Sequence, residues 1–111
     1  MSVPKTNKSA GNLFNGSRTT TGAGDTFDLE YQNSTFQAVA NGTSGAFSAT
    51  VKVQVSNDKV NWEDGIVFTL SGTATTAASD GDVMSASWKH VRGNITAISG
   101  TGAFVILIMG V

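Results

Sequence analysis

Hydrophobic and polar positions alternate with a period of two along most of this chain from residue 25 onward. In Thr26–Tyr31, Phe27, Leu29 and Tyr31 share one face and Asp28 and Glu30 the other. In Thr35–Ala40, Phe36, Ala38 and Ala40 alternate with Gln37 and Val39. The clearest run is Ala46–Ser56, with Phe47, Ala49, Val51, Val53 and Val55 set against Ser48, Thr50, Lys52 and Gln54. Such alternation places one side of a strand against a core and the other toward solvent, and it has no helical reading. Further strands are predicted from Val60 and Trp62, over Ile66–Leu70, Val83–Trp88, His90–Ile98 and Ala103–Val111. Between them lie Asn41-Gly42, Ser44-Gly45 and Ser56-Asn57-Asp58-Lys59, whose side chains suit turns. Ser71–Asp82 shows no period and reads as a loop. No segment sustains a 3.6-residue period. The prediction is an all-β domain of about eight strands at short, even spacing: a sandwich, a jelly roll or an up-and-down barrel.

The last strand departs from simple alternation. Phe104, Ile106 and Ile108 form one apolar face, and Val105, Leu107 and Met109 form another. A sandwich strand needs only one apolar face, so something must cover the second: the N-terminal segment, a loop or another subunit. Val105, Leu107 and Met109 are the candidate subunit contact.

Residues 1–24 carry Asn, Gly, Ser, Thr and Lys with a single apolar pair, Leu13-Phe14, and sustain no strand period. They read as an extended arm on a sandwich of residues 25–111. The arm holds Lys5, Lys8 and Arg18 and no acid, for +3, whereas residues 25–111 carry −4, leaving the net charge of −1. A positive arm on an acidic body suits docking, with Leu13 and Phe14 as its anchor on its own body or on a partner.

The 111 residues leave room for one domain. Only 14% of them are charged, against roughly 25% in average soluble domains. Gly, Ser, Thr, Asn and Ala replace the missing charge, which suits turns and packing against other protein. The small net charge gives no field for nucleic acid. There is no cysteine, so disulfides and thiolate metal sites are excluded. The N-terminus shows no apolar signal-peptide core, and Ala103–Val111 is shorter than the about 20 residues of a membrane-spanning helix. No membrane partner is expected.

Candidate chemistry is sparse. A serine-hydrolase site would need the lone histidine, His90, as its base, and alternation puts His90 among polar strand positions. The carboxylate pairs Asp28/Glu30, Glu63/Asp64 and Asp80/Asp82 lack a spacing that assigns glycosidase or calcium chemistry. No phosphate-binding glycine fingerprint is present. Trp62 and Trp88 are core residues or, in the alternative, a stacking platform for a glycan. No catalytic residue, metal or cofactor is expected.

Two segments carry a family resemblance. Residues 53–62, Val-Gln-Val-Ser-Asn-Asp-Lys-Val-Asn-Trp, resemble the VSxDGxNW strand–turn–strand pattern of small phage structural β-domains. Residues 88–100, Trp-Lys-His-Val-Arg-Gly-Asn-Ile-Thr-Ala-Ile-Ser-Gly, resemble their later ryVRvnvTsisG strand, and a terminal apolar strand follows. As a whole the chain is similar to the small head decoration, or cementing, proteins of epsilon15-like short-tailed bacteriophages. Lys59 stands where the pattern has a turn glycine, and Gly93 interrupts the second motif. The resemblance implies a non-enzymatic, jelly-roll-like sandwich on the outer surface of an assembled capsid. It further implies synthesis in the bacterial host cytoplasm, the major capsid protein as partner, and a homodimer spanning neighbouring shell subunits. Within that reading Lys5, Lys8, Leu13, Phe14 and Arg18 are the expected shell contacts. The same motifs occur in tail and fibre modules, which makes a carbohydrate-binding or host-adhesion module the alternative.

Overall fold

A computed structural model describes residues 11–14, 16–29, 33–85 and 88–110. Three two-residue strands come first: β1 (Gly11–Asn12), β2 (Gly22–Ala23) and β3 (Phe27–Asp28). Six longer strands follow: β4 (Asn33–Asn41), β5 (Ser44–Ser56), β6 (Glu63–Thr73), β7 (Ala78–Ser85), β8 (His90–Thr101) and β9 (Phe104–Gly110). There is no helix among the described residues.

The strands form two antiparallel sheets, β1-β9-β4-β7 (sheet A) and β2-β8-β5-β6 (sheet B), with β3 also on β8. β2 and β3 pair with successive stretches of β8 and act as one interrupted strand. The pairing is nested: β1 with β9, β2 and β3 with β8, β4 with β7, β5 with β6. β4–β9 and β5–β8 then join these pairs into sheets. A long antiparallel ribbon rolled in this way is a jelly roll of eight strand positions.

Alternation builds the core as expected. Phe36, Ala38 and Ala40 of β4 face Phe47, Ala49, Val51, Val53 and Val55 of β5, with Ile66, Phe68 and Leu70 of β6 and Val91 and Ile95 of β8. Irregularities at Val53/Gln54 and Thr50/Val51 let β5 keep its period while Gly65 and Thr96 are absorbed in its neighbours.

Three readings of the sequence are corrected. Ser71–Asp82 is not a loop: β6 runs to Thr73 and β7 begins at Ala78. β7 is an edge strand, and its pairing to β4 overrides a composition poor in strand formers. Val60 and Trp62 lie in the β5–β6 turn rather than in a strand. The third concerns Val105, Leu107 and Met109, which do not form the outward face of β9. Val105 and Leu107 are fully buried and Met109 packs on the core, so the outward face of β9 is Phe104, Ile106 and Ile108.

Candidate functional site

The described part of the N-terminal segment is extended, and it is stitched to the sandwich. The Leu13 N–H donates to the Leu107 carbonyl at 2.8 Å, and Arg18 exchanges two backbone bonds with Val105, each at 2.9 Å. Gly24 N–H then donates to the Gly93 carbonyl on β8 at 2.8 Å. The segment therefore crosses from the edge of sheet A to the edge of sheet B and closes that side of the roll.

Its anchors are apolar. Leu13 is 1% exposed within the core, and Phe14 packs against the same cluster. Gly93 explains itself here. A Cβ on Gly93 would stand 2.7 Å from Leu107 Cδ2 and 2.8 Å from Phe14 Cζ, so the strand gives up a side chain to seat the Phe14 ring. Arg18 sits over that ring at 5.8 Å, and its guanidinium donates to the carbonyls of Thr20 and Ala23. Of the expected shell contacts, Leu13 is thus corrected to a core residue, and Phe14 and Arg18 are engaged with their own fold. Lys5 and Lys8 lie outside the described residues.

The outer faces of the two sheets differ in kind. In sheet A the outward positions are Thr35, Gln37, Val39 and Asn41 on β4, Ser79, Gly81, Val83 and Ser85 on β7, and Phe104, Ile106 and Ile108 on β9. None carries a charge. Val39 and Ile106 are cross-strand neighbours, as are Gln37 and Ile108. At one end of this face Thr35, Gln37, Gly81, Ile108 and Gly110 line an open cleft of about 470 Å³, with Asp82, a neighbour of the core-facing Phe36, the one charged residue of its lining. Charge depletion around an apolar centre is the compositional mark of an interface core.

Sheet B presents a polar network instead. Gln54 is outward on β5 yet only 9% exposed, because its neighbours close over it. Its Oε1 accepts from Arg92 Nε at 2.9 Å and from Asn94 Nδ2 at 3.3 Å, and its Nε2 donates to Asp64 Oδ1 at 2.9 Å. Lys52 Nζ meets Asp64 Oδ2 at 2.8 Å. These bonds, that from Lys52 foremost, hold the Asp64 carboxyl below its ordinary range. The Arg92 guanidinium lies 4.3 Å over the Trp62 ring, so Trp62 is half-buried by a cation–π stack on this face. Trp88 packs against the core.

His90 is on β8, with Nδ1 2.9 Å from Asp28 Oδ1 on β3. Ser56 is its cross-strand partner, but the Ser56 hydroxyl donates to Asp58 Oδ1 and accepts from the N–H groups of Asp58 and Lys59. The hydroxyl is committed to the β5–β6 turn rather than to the imidazole. Among the described residues no group of three or more His, Asp or Glu is arranged to hold a metal ion.

The nested strand pairing defines the protein as a jelly-roll domain with an uncharged face on one sheet and a polar, aromatic-anchored face on the other. No family model matches the chain, and no curated protein matches it. Among solved structures it is similar to the SPBc2 prophage-derived protein YomS, with a TM-score of 0.55 over 91% of this chain and 89% of that one. The two are 13% identical, so what they share is the fold.

Proposed function

We propose that this protein is a non-enzymatic phage virion protein that decorates the outside of an assembled capsid and joins neighbouring subunits of the major capsid protein. The observation that carries this is the uncharged outer face of sheet A, with Val39, Ile106 and Ile108 across its middle, Phe104 at one end and Val83 on its β7 edge. Support comes from the two-sheet jelly roll, an architecture common in viral structural domains, and from the likeness in fold to a prophage-derived protein.

Binding that exists only on the assembled lattice stabilises that lattice by linkage, by about 4.1 kcal/mol per site at a free concentration a thousand times Kd. With strands about 4.8 Å apart and about 3.4 Å per residue, sheet A offers a docking face of roughly 450 Å². Counting both partners, one such contact falls just short of the roughly 1,000 Å² expected of a stable interface, and two acting together exceed it. A homodimer supplies two feet, and their linkage raises avidity.

Co-sedimentation tests the proposal. Saturable pelleting with assembled shells, absence of binding to free shell subunits, and loss of pelleting in Ile106→Lys are expected. Undiminished binding by Ile106→Lys would remove sheet A from the docking role.

The Trp62–Arg92–Gln54 cluster favours one second reading, a host-adhesion module in which Trp62 stacks on a sugar ring. A shift of tryptophan emission on adding host polysaccharide, abolished by Trp62→Ala, would support it. No shift with any glycan would end it.

A further inference from the structure

Of the four edges that two open sheets present, three are blunted. β1, β2 and β3 are two residues long, too short to template another strand. β7 is longer, but the Asp80 carboxylate accepts from the Gly81 N–H at 2.8 Å and the Asp82 carboxylate from the Val83 N–H at 2.8 Å. Those side chains occupy donors that an added strand would need, and they bring charge to the edge.

β6 has no such protection. It spans 11 residues and pairs on one side only, with β5. From Gly65 to Thr73 it contains neither a charge nor a proline. Met84 of β7 packs against Gly65 at one end of it, and among the described residues no side chain hydrogen-bonds the backbone from Ile66 to Gly72. Val67, at its middle, is 52% exposed. A bare, uncharged edge of this length is a site for strand addition.

We propose that the β6 edge pairs antiparallel with β6 of a second copy about a two-fold axis, fusing the two B sheets into one. The strand is self-complementary when centred on Phe68. Val67 then meets Thr69 on the outer face and Ile66 meets Leu70 on the core face. Glu63 and Asp64 fall opposite Thr73 and Gly72, so no like charges oppose one another. Isologous pairing of this kind closes at two copies.

The geometry also sets what the dimer can do. A two-fold between antiparallel neighbours stands perpendicular to the sheet, so both outer faces of sheet A point the same way. Dimerisation through sheet A itself would bury that face. Use of the pair as a two-footed staple rests on the decoration reading, whereas the strand pairing does not.

Sedimentation velocity over a wide concentration range is the test, with hydrogen exchange beside it. The wild type is expected to be dimeric, with amides of Gly65–Thr73 gaining protection as concentration rises. Val67→Lys with Thr69→Lys places four ammonium groups together across the two-fold, and it is expected to give a monomer with unchanged circular dichroism. Ile106→Lys should remain dimeric. A wild type that stays monomeric, a dimer that survives the paired lysines, or exchange in β6 that ignores concentration would overturn the pairing. Should the paired lysines fail to fold, the exchange measurement on the wild type decides alone. Shell binding is scored separately. The folded monomeric variant should lose about a hundredfold or more in apparent affinity. A β6 dimer that ignores shells would refute decoration and leave the pairing standing.

Discussion

Replacing Leu13 with alanine tests whether the N-terminal segment is an appendage or part of the core. Leu13 is 1% exposed and lies among the buried residues of both sheets, and its N–H is bonded to Leu107. Removing its terminal carbons forfeits about 2 kcal/mol of transfer free energy. A cavity of up to about 70 Å³ that does not collapse adds about 1.7 kcal/mol at 24 cal/mol per Å³. The expected loss is therefore about 2–4 kcal/mol. At about 4–8 °C per kcal/mol for a domain near this size, Tm should fall by at least 8 °C. Thermal unfolding followed by circular dichroism measures it, with Thr19→Ala and Thr21→Ala as surface controls. The same logic applies to truncation. Deleting residues 1–24 removes Leu13, Phe14, β1 and β2 and should destabilise the body, so loss of shell binding by that variant would not identify a docking arm. A Tm change within about 2 °C for Leu13→Ala would refute the reasoning, because a fully buried leucine cannot be removed at so small a cost.

Other expectations follow from single positions. Lys59 has φ of 64°, in the left-handed region. Lys59→Gly should relieve about 1 kcal/mol of strain, partly offset by glycine's unfolded-state entropy, and raise Tm by a few degrees; a lower Tm would contradict this. Gly93→Ala drives a Cβ into Phe14 and Leu107 and should cost about 1–3 kcal/mol, read as a lower denaturation midpoint at unchanged m. Asp58 accepts from the backbone N–H groups of Asn61 and Val60, and these bonds, with those to the side chains of Asn61 and Ser56, hold its carboxyl far below the usual range. A depressed folded value means stability fully present above the ordinary carboxylate pKa and lost as pH falls toward the folded one. The Tm deficit of Asp58→Ala should therefore be constant above about pH 5 and narrow on acidification, and a deficit independent of pH would exclude the carboxylate as its source.

The β5–β6 turn and Gly93 show how far a linear pattern reaches. Both positions stood out in the sequence as departures from a motif. Lys59 keeps the left-handed backbone that a glycine would take freely, because Ser56 and Asp58 tie the turn through four bonds to its backbone N–H groups. Gly93 is a packing solution rather than a break, and only the seat of Phe14, far away in sequence, reveals it. The functional surfaces were less legible. The polarity of Lys52, Gln54, Asp64, Arg92 and Asn94 was visible, but not that five residues from three strands form one network on Trp62.

Period-two alternation by itself determined that this chain is all-β, where its long strands β4, β5 and β8 lie and which side of β5 is buried, since those properties depend on neighbours two residues apart. It also determined that β9 has two apolar faces, but not which of them is the core. That choice depends on β4, which pairs with β9, and on Leu13 from the opposite end of the chain. Likewise β7 has a composition that reads as loop, and it is a strand because β4 offers it a ladder. Nested pairing of first strand with last, the closure of one side by the N-terminal segment and the bare edge at β6 are contacts across long sequence separations. Tertiary structure alone decided them, because a strand's pattern records that it needs a partner and a core, and carries no record of which partner it meets.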